Sequence, residues 1–148
     1  MGGCASSPSK TSLSAPVAYE VLDQSGVDIQ WGELTARLVN NRADGAVHRE
    51  GYNGLAMLRH AGGPSPFVPL YAGINLEHVN NGRAYADRDL QFEPRRHPME
   101  LRKFGERMIE LYQAPLPETG LESCTRFRFV EPHAIDVTFE CVPHKEWC

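Results

Sequence analysis

Glu77 and His78 are neighbours, Asn75 lies two residues before Glu77, Arg95 and Arg96 are adjacent, and His133 sits between Pro132 and Asp136. A carboxylate and an imidazole that share a proton do acid/base chemistry. Two guanidiniums clamp a carboxylate or sulfate, and an amide with a carboxylate two residues on can hold vicinal hydroxyls. In extended backbone, neighbours point to opposite faces, so Glu77 and His78 are split while Asn75 and Glu77 act together. His133 ranks first as an acid/base candidate, because a turn exposes it and the flanking strands fix its place. Paired carboxylates could also do acid/base work, but spacing alone does not choose among Glu77, Glu110, Glu131 and Asp136. Each candidate also has a plainer reading: a solvated strand face for Asn75 and Glu77, a solvated loop for Arg95 and Arg96, an exposed turn for His133.

The chain has no GxSxG, HExxH, P-loop or dinucleotide-binding glycine pattern. Its four cysteines form no CxxC and no Cys/His ligand spacing, so neither a metal nor another cofactor is expected. Cys124 and Cys141 fall on opposite strand faces and are expected to stay unbridged, and Cys148 ends the chain. Cys4, after Gly3 and before a Ser/Pro run, resembles a bacterial lipoprotein cleavage site. Gly2 with Ser6 alternatively fits a myristoylation pattern, with Cys4 placed for a second acyl chain. A plain Ser/Pro tail with a chance cysteine is the third reading.

With 148 residues the chain suits one domain, residues 17–148, behind a tether of residues 1–16. Fifteen basic against nineteen acidic residues give a net charge of −4, which argues against a nucleic-acid backbone as partner. No apolar run approaches the ~20 residues that span a bilayer, so membrane attachment would come through a lipid anchor.

The elements that must position the candidates are strands. Val17, Tyr19 and Val21 alternate with Ala18, Glu20 and Leu22; Val27, Ile29 and Trp31 alternate with Asp28 and Gln30; Leu34, Ala36 and Leu38 follow a bend at Gly32. Trp31 reads as core or as a sugar-stacking platform. Tyr52–His60 is extended, and Phe67–Val79 reads as a central strand with Ile74 and Leu76 inward, closed by an Asn81-Gly82 hairpin turn. His48 falls in a polar loop, and 83–97 is charged and irregular. Residues 98–113 fit a helical stripe through Leu101, Phe104, Met108 and Leu111, but Gly105 at the centre favours a hairpin, and both remain open. Leu121–Glu131 and Ala134–Val142 pair across Pro132-His133, with Phe127 facing Phe139, Phe129 facing Val137 and Arg126 facing Glu140.

The fold class is therefore mainly β, an antiparallel β-sandwich. PFVPLYAGINLEH, FEPRRHPMELR, IELYQAPLPETGLES and FVEPHAIDVTFECVP, spread over Tyr52–Pro143, resemble segments of secreted bacterial β-sandwich proteins of the galactose-mutarotase-like type. The resemblance implies a partial supersandwich and a carbohydrate-binding or carbohydrate-processing role at the periplasm or cell surface, with Asn75, Glu77, Arg95, Arg96 and His133 as candidate ligand contacts. It carries no catalytic residue over position by position. A structural protein that oligomerises through an open sheet edge is the alternative class. A sugar epimerase or hydrolase using His133 and Glu77 as acid and base is the third.

Overall fold

A computed structural model describes residues 18–42, 52–67, 72–80 and 88–146. Cys4 and the 1–16 tether, His48, the Asn81-Gly82 turn and Cys148 lie outside the described residues. The strands are β1 (Glu20–Leu22), β2 (Gly26–Trp31), β3 (Leu34–Val39), β4 (Gly54–His60), β5 (Glu100–Phe104), β6 (Met108–Gln113), β7 (Leu121–Val130) and β8 (Ala134–Pro143). They form two antiparallel sheets, one ordered β1-β5-β6-β7-β8 and one ordered β2-β3-β4.

The sheets bury their apolar faces on each other. Ile29, Ala36, Leu38 and Leu55 come from the smaller sheet and Leu101, Ile109, Leu111, Phe127 and Phe129 from the larger, in one continuous core with Met99. This is the sandwich that alternation implies: one apolar residue in two along each strand, facing an equivalent layer. The 98–113 ambiguity resolves as a hairpin. Gly105 takes φ +58° in the turn, Leu101 pairs with Leu111 toward the core, and Phe104 pairs with Met108 on the other face. The N-terminal alternation divides between the sheets: β1 pairs with β5, while β2 starts the smaller sheet.

Three expectations are corrected. Residues 72–80 are not a strand. They lie over the start of β4, tied by Gly73 N–H to Leu55 O (2.7 Å), Leu55 N–H to Ile74 O (3.3 Å) and Leu76 N–H to the Asn53 side-chain oxygen (2.8 Å). Ile74, expected inward, is accordingly 40% exposed, while Val79 is buried. The charged 83–97 region contains two one-turn helices, α1 (Arg88–Gln91) and α2 (Glu93–Arg96).

The third correction concerns the β7–β8 register, which is shifted by two: Phe127 faces Val137, Phe129 faces Ile135 and Thr125 faces Phe139. A two-residue shift preserves both faces. It gives Ile135 an aromatic partner instead of Glu131 and sets Arg128 against Asp136 at 2.6 Å, while Arg126 still reaches Glu140 diagonally at 2.7 Å.

Candidate functional site

The fold sorts the sequence candidates into two places. Glu77 accepts a hydrogen bond from Tyr52 O–H (2.7 Å), Arg95 lies 4.1 Å over the Tyr52 ring centre and 3.9 Å from Glu77, and His78 Nδ1 stands 3.6 Å from the other Glu77 oxygen. The irregular backbone of 72–80 thus lets Glu77 and His78 meet, contrary to the strand argument. Asn75 is exposed and donates to Ala72 O (2.9 Å), so it does not act with Glu77. Arg96 ends α2 beside Arg95.

His133 is elsewhere. It sits in the β7–β8 turn with Nε2 3.7 Å from Glu33 Oε2, and its ring meets that of His60 edge-on at 4.6 Å. Tyr52 precedes β4 and His60 ends it, so the Glu77 and His133 groups are roughly 25 Å apart along that strand, too far to serve as one acid/base pair. Asp136, three residues after His133, is engaged by Arg128. Glu33 and His60 were not singled out from the sequence; each ends or follows a strand at a turn, and only the sheet topology brings them to His133. Glu33, His60 and His133, separate in sequence, each place one potential ligand atom within 4.8 Å of the others. Trp31 packs against the core with the Arg107 guanidinium 4.8 Å from its ring centre, which occupies the face a sugar would need.

A third arrangement lies on the outer face of the five-stranded sheet. Cross-strand register lines up Arg102, Glu110 and Arg126 on β5, β6 and β7. One Glu110 oxygen accepts from Arg102 (3.1 Å) and the other from Arg126 (2.8 Å), and the carboxylate is completely buried beneath them. Glu100 and Glu140 extend the row at 2.7 Å on either side. Burial alone would lower the pKa of Arg102 and Arg126, but their bonds to these carboxylates outweigh it and hold both above the usual guanidinium range. Tyr112 stacks on Arg102 (3.6 Å) and donates to the buried Glu122 (2.9 Å), which also meets His144 Nε2 (2.6 Å).

Two acids of this face ionise late. Burial, then a hydrogen bond to Glu110, pushes the Cys124 thiol up to about 12; burial, then the bond to Glu122, pushes Tyr112 up to about 12. Both folded values exceed the unfolded ones, so their contribution to stability is complete below about pH 9 and is lost as pH rises through about 12. Urea midpoints taken at intervals across this range should fall steadily, and Tyr112→Phe with Cys124→Ala should flatten the decline. An unchanged decline in the double variant would place its origin elsewhere.

The last feature is an edge. Among the described residues no strand pairs with the outer side of β8. The His144 N–H to Gly120 O bond fixes the phase of the ladder: even-numbered residues of β8 bond to β7, and the amides and carbonyls of Ile135, Val137, Phe139 and Cys141 point away from it. The three-stranded sheet is too narrow to cover this outermost strand. Phe139 is therefore 50% exposed and Val137 39%, although their side chains share the core-facing side with Phe127. Cys141 is exposed on that side and opposite Ser123, whereas Cys124 is buried on the other.

No helix among the described residues is long and apolar enough to cross a membrane. Comparison with protein-family models, curated proteins and solved structures finds no match for this chain.

Proposed function

We propose that the chain is an assembly module that joins a second copy of itself through β8. The observation that carries this is the ten-residue β8 edge, unpaired among the described residues, with Phe139 half-exposed on the strand's apolar side. Natural sheets blunt such edges with prolines, inward charges or coverings, and a long uncovered one is a template for another strand.

The strand is self-complementary about Phe139. In an antiparallel pair with Phe139 on the two-fold axis, Val137 faces Cys141 and Ile135 faces Pro143, so the apolar side continues across the junction. On the opposite side Glu140 faces Thr138 and Asp136 faces Val142, and no like charges stand opposite each other. Centring on Thr138 instead would set Asp136 against Glu140, which cross-strand repulsion disfavours. The residues with outward-pointing amides also meet one another in this register, as a hydrogen-bonded ladder requires.

Sedimentation equilibrium should give a concentration-dependent dimer that Phe139→Lys weakens by about a hundredfold, as loss of a central aromatic contact does. Val137→Cys, oxidised with diamide, should yield a covalent dimer whose cross-linked peptides join residue 137 to Cys141. A wild-type chain that stays monomeric at high concentration would sink the proposal, and a cross-link formed from Ile135→Cys but not Val137→Cys would replace the register.

The carbohydrate reading rests on Asn75, Glu77, Arg95, Arg96 and His133, which the fold divides between two places, with Glu77 and Arg95 engaged by protein partners. For that reason the edge, and not a sugar site, carries the conclusion. Saturable binding on a glycan array that is lost in Arg95→Ala would reverse this order.

A further inference from the structure

Where the two sheets meet at their turns, three side chains converge. We infer that Glu33, His60 and His133 form a binding site for a divalent first-row transition metal, zinc above all, that clamps one sheet to the other.

The backbone fixes the first two ligands. Glu33 occupies the β2–β3 turn after Gly32, which takes φ +57°, and its carbonyl accepts from Ala61 N–H (2.8 Å), directly after His60. His60 itself pairs with Leu34 at the end of β4. The third comes from the other sheet: the β7–β8 turn lies so close that a Cβ placed on Gly32 would stand 3.5 Å from the Pro132 carbonyl, and His133 follows that carbonyl.

The geometry suits a metal ion. Both Nε2 atoms approach the same oxygen, Glu33 Oε2, from 3.1 Å (His60) and 3.7 Å (His133). Ligands at Zn–N and Zn–O lengths of about 2.0–2.1 Å in a tetrahedron are about 3.3 Å apart, between these two values. A hydrogen-bonded His–Glu pair needs only one imidazole. Here a second reaches the same oxygen with the rings 4.6 Å apart, and one metal ion can take both nitrogens and the carboxylate together. Two imidazoles and a carboxylate suit zinc, copper or nickel over calcium and magnesium, which take oxygen ligands. About half of each side chain is exposed, so an ion can enter and solvent can fill the fourth position.

The test uses the full chain, stripped with a chelator and desalted. Zinc should bind with one strong site by calorimetry and raise the melting temperature, since a ligand that binds only the folded state stabilises it. Cobalt(II) should give the visible spectrum of a four-coordinate nitrogen/oxygen site without a thiolate charge-transfer band, which excludes Cys141 and the terminal cysteines. His60→Gln and His133→Gln should each weaken binding at least about tenfold, equivalent to about 1.4 kcal/mol, while the metal-free melting temperature holds because both residues are exposed. His78→Gln should bind as wild type does. The inference fails if zinc neither binds nor stabilises the wild-type chain, if the His60/His133 double variant keeps its affinity, or if the cobalt spectrum shows sulfur. None of these results depends on β8, so the dimer and the metal site stand or fall separately.

Discussion

Glu110→Ala should destabilise the chain by about 3–5 kcal/mol, the cost of removing one partner from a buried ion network and leaving the others uncompensated. Glu110 is completely buried and accepts from two arginines, of which Arg102 is nearly as buried as Glu110 itself. Without it, Arg102 keeps only Glu100 and Arg126 keeps only Glu140, both at the more exposed ends of the row. Arginine cannot shed its charge to relieve this. Glu110→Gln should be intermediate, because one amide oxygen can still accept while the amide nitrogen faces a guanidinium. Replacing the centre of the row, Arg102→Met with Glu110→Leu and Arg126→Met, should cost far less than Glu110→Ala alone, since well-packed apolar groups often replace buried ion pairs without loss. Equilibrium urea unfolding separates these cases, and a Glu110→Ala loss below about 1 kcal/mol would mean that water screens the row as it does a surface pair.

Gly54→Ala should be as damaging by a different route. Gly54 has φ +114°, and a Cβ there would stand 1.7 Å from the Ile74 carbonyl oxygen and 2.7 Å from its carbon. The neighbour is backbone, held by hydrogen bonds to Leu55, so it cannot turn aside as a side chain would. Residues 72–76 must lift from β4, which exposes Leu55 and unpairs the buried Asn53. Gly105→Ala is the control: φ is +58° but nothing lies within 4 Å, so only the conformational penalty of about 1–2 kcal/mol applies. Gly54→Ala should lose upwards of about 4 kcal/mol or fail to fold. Equal unfolding midpoints for the two variants would show that the 72–76 segment yields freely.

What the sequence reveals follows from where the information is local. Val27, Ile29 and Trp31 against Asp28 and Gln30 announce β2, and Gly105 decides hairpin over helix, because side-chain period and turn glycine are encoded within a few residues. Residues 72–80 show the same alternation but make no ladder. Gly73, Ile74 and Leu76 bond to Asn53 and Leu55 and the Val79 amide to Gln91, and a distant asparagine side chain leaves no periodic trace. Alternation along β8 correctly says which face Phe139 shares with Phe127. It cannot say that the opposing sheet has too few strands to cover it. The Glu33, His60 and His133 group is hidden for a similar reason, since two turns and the end of β4, drawn from two sheets, bring one side chain each.

The pairing of β1 with β5 sets an order of events as the chain is made. Glu20 waits for Lys103, some eighty residues later, which at about 5–20 residues per second is about 4–16 s of synthesis. The meander β5-β6-β7-β8 has only nearest-neighbour hairpins and closes quickly once it emerges. β1 therefore leaves the ribosome well before the rest of the larger sheet and stays unpaired until β5 emerges, after which β6, β7 and β8 are added in chain order.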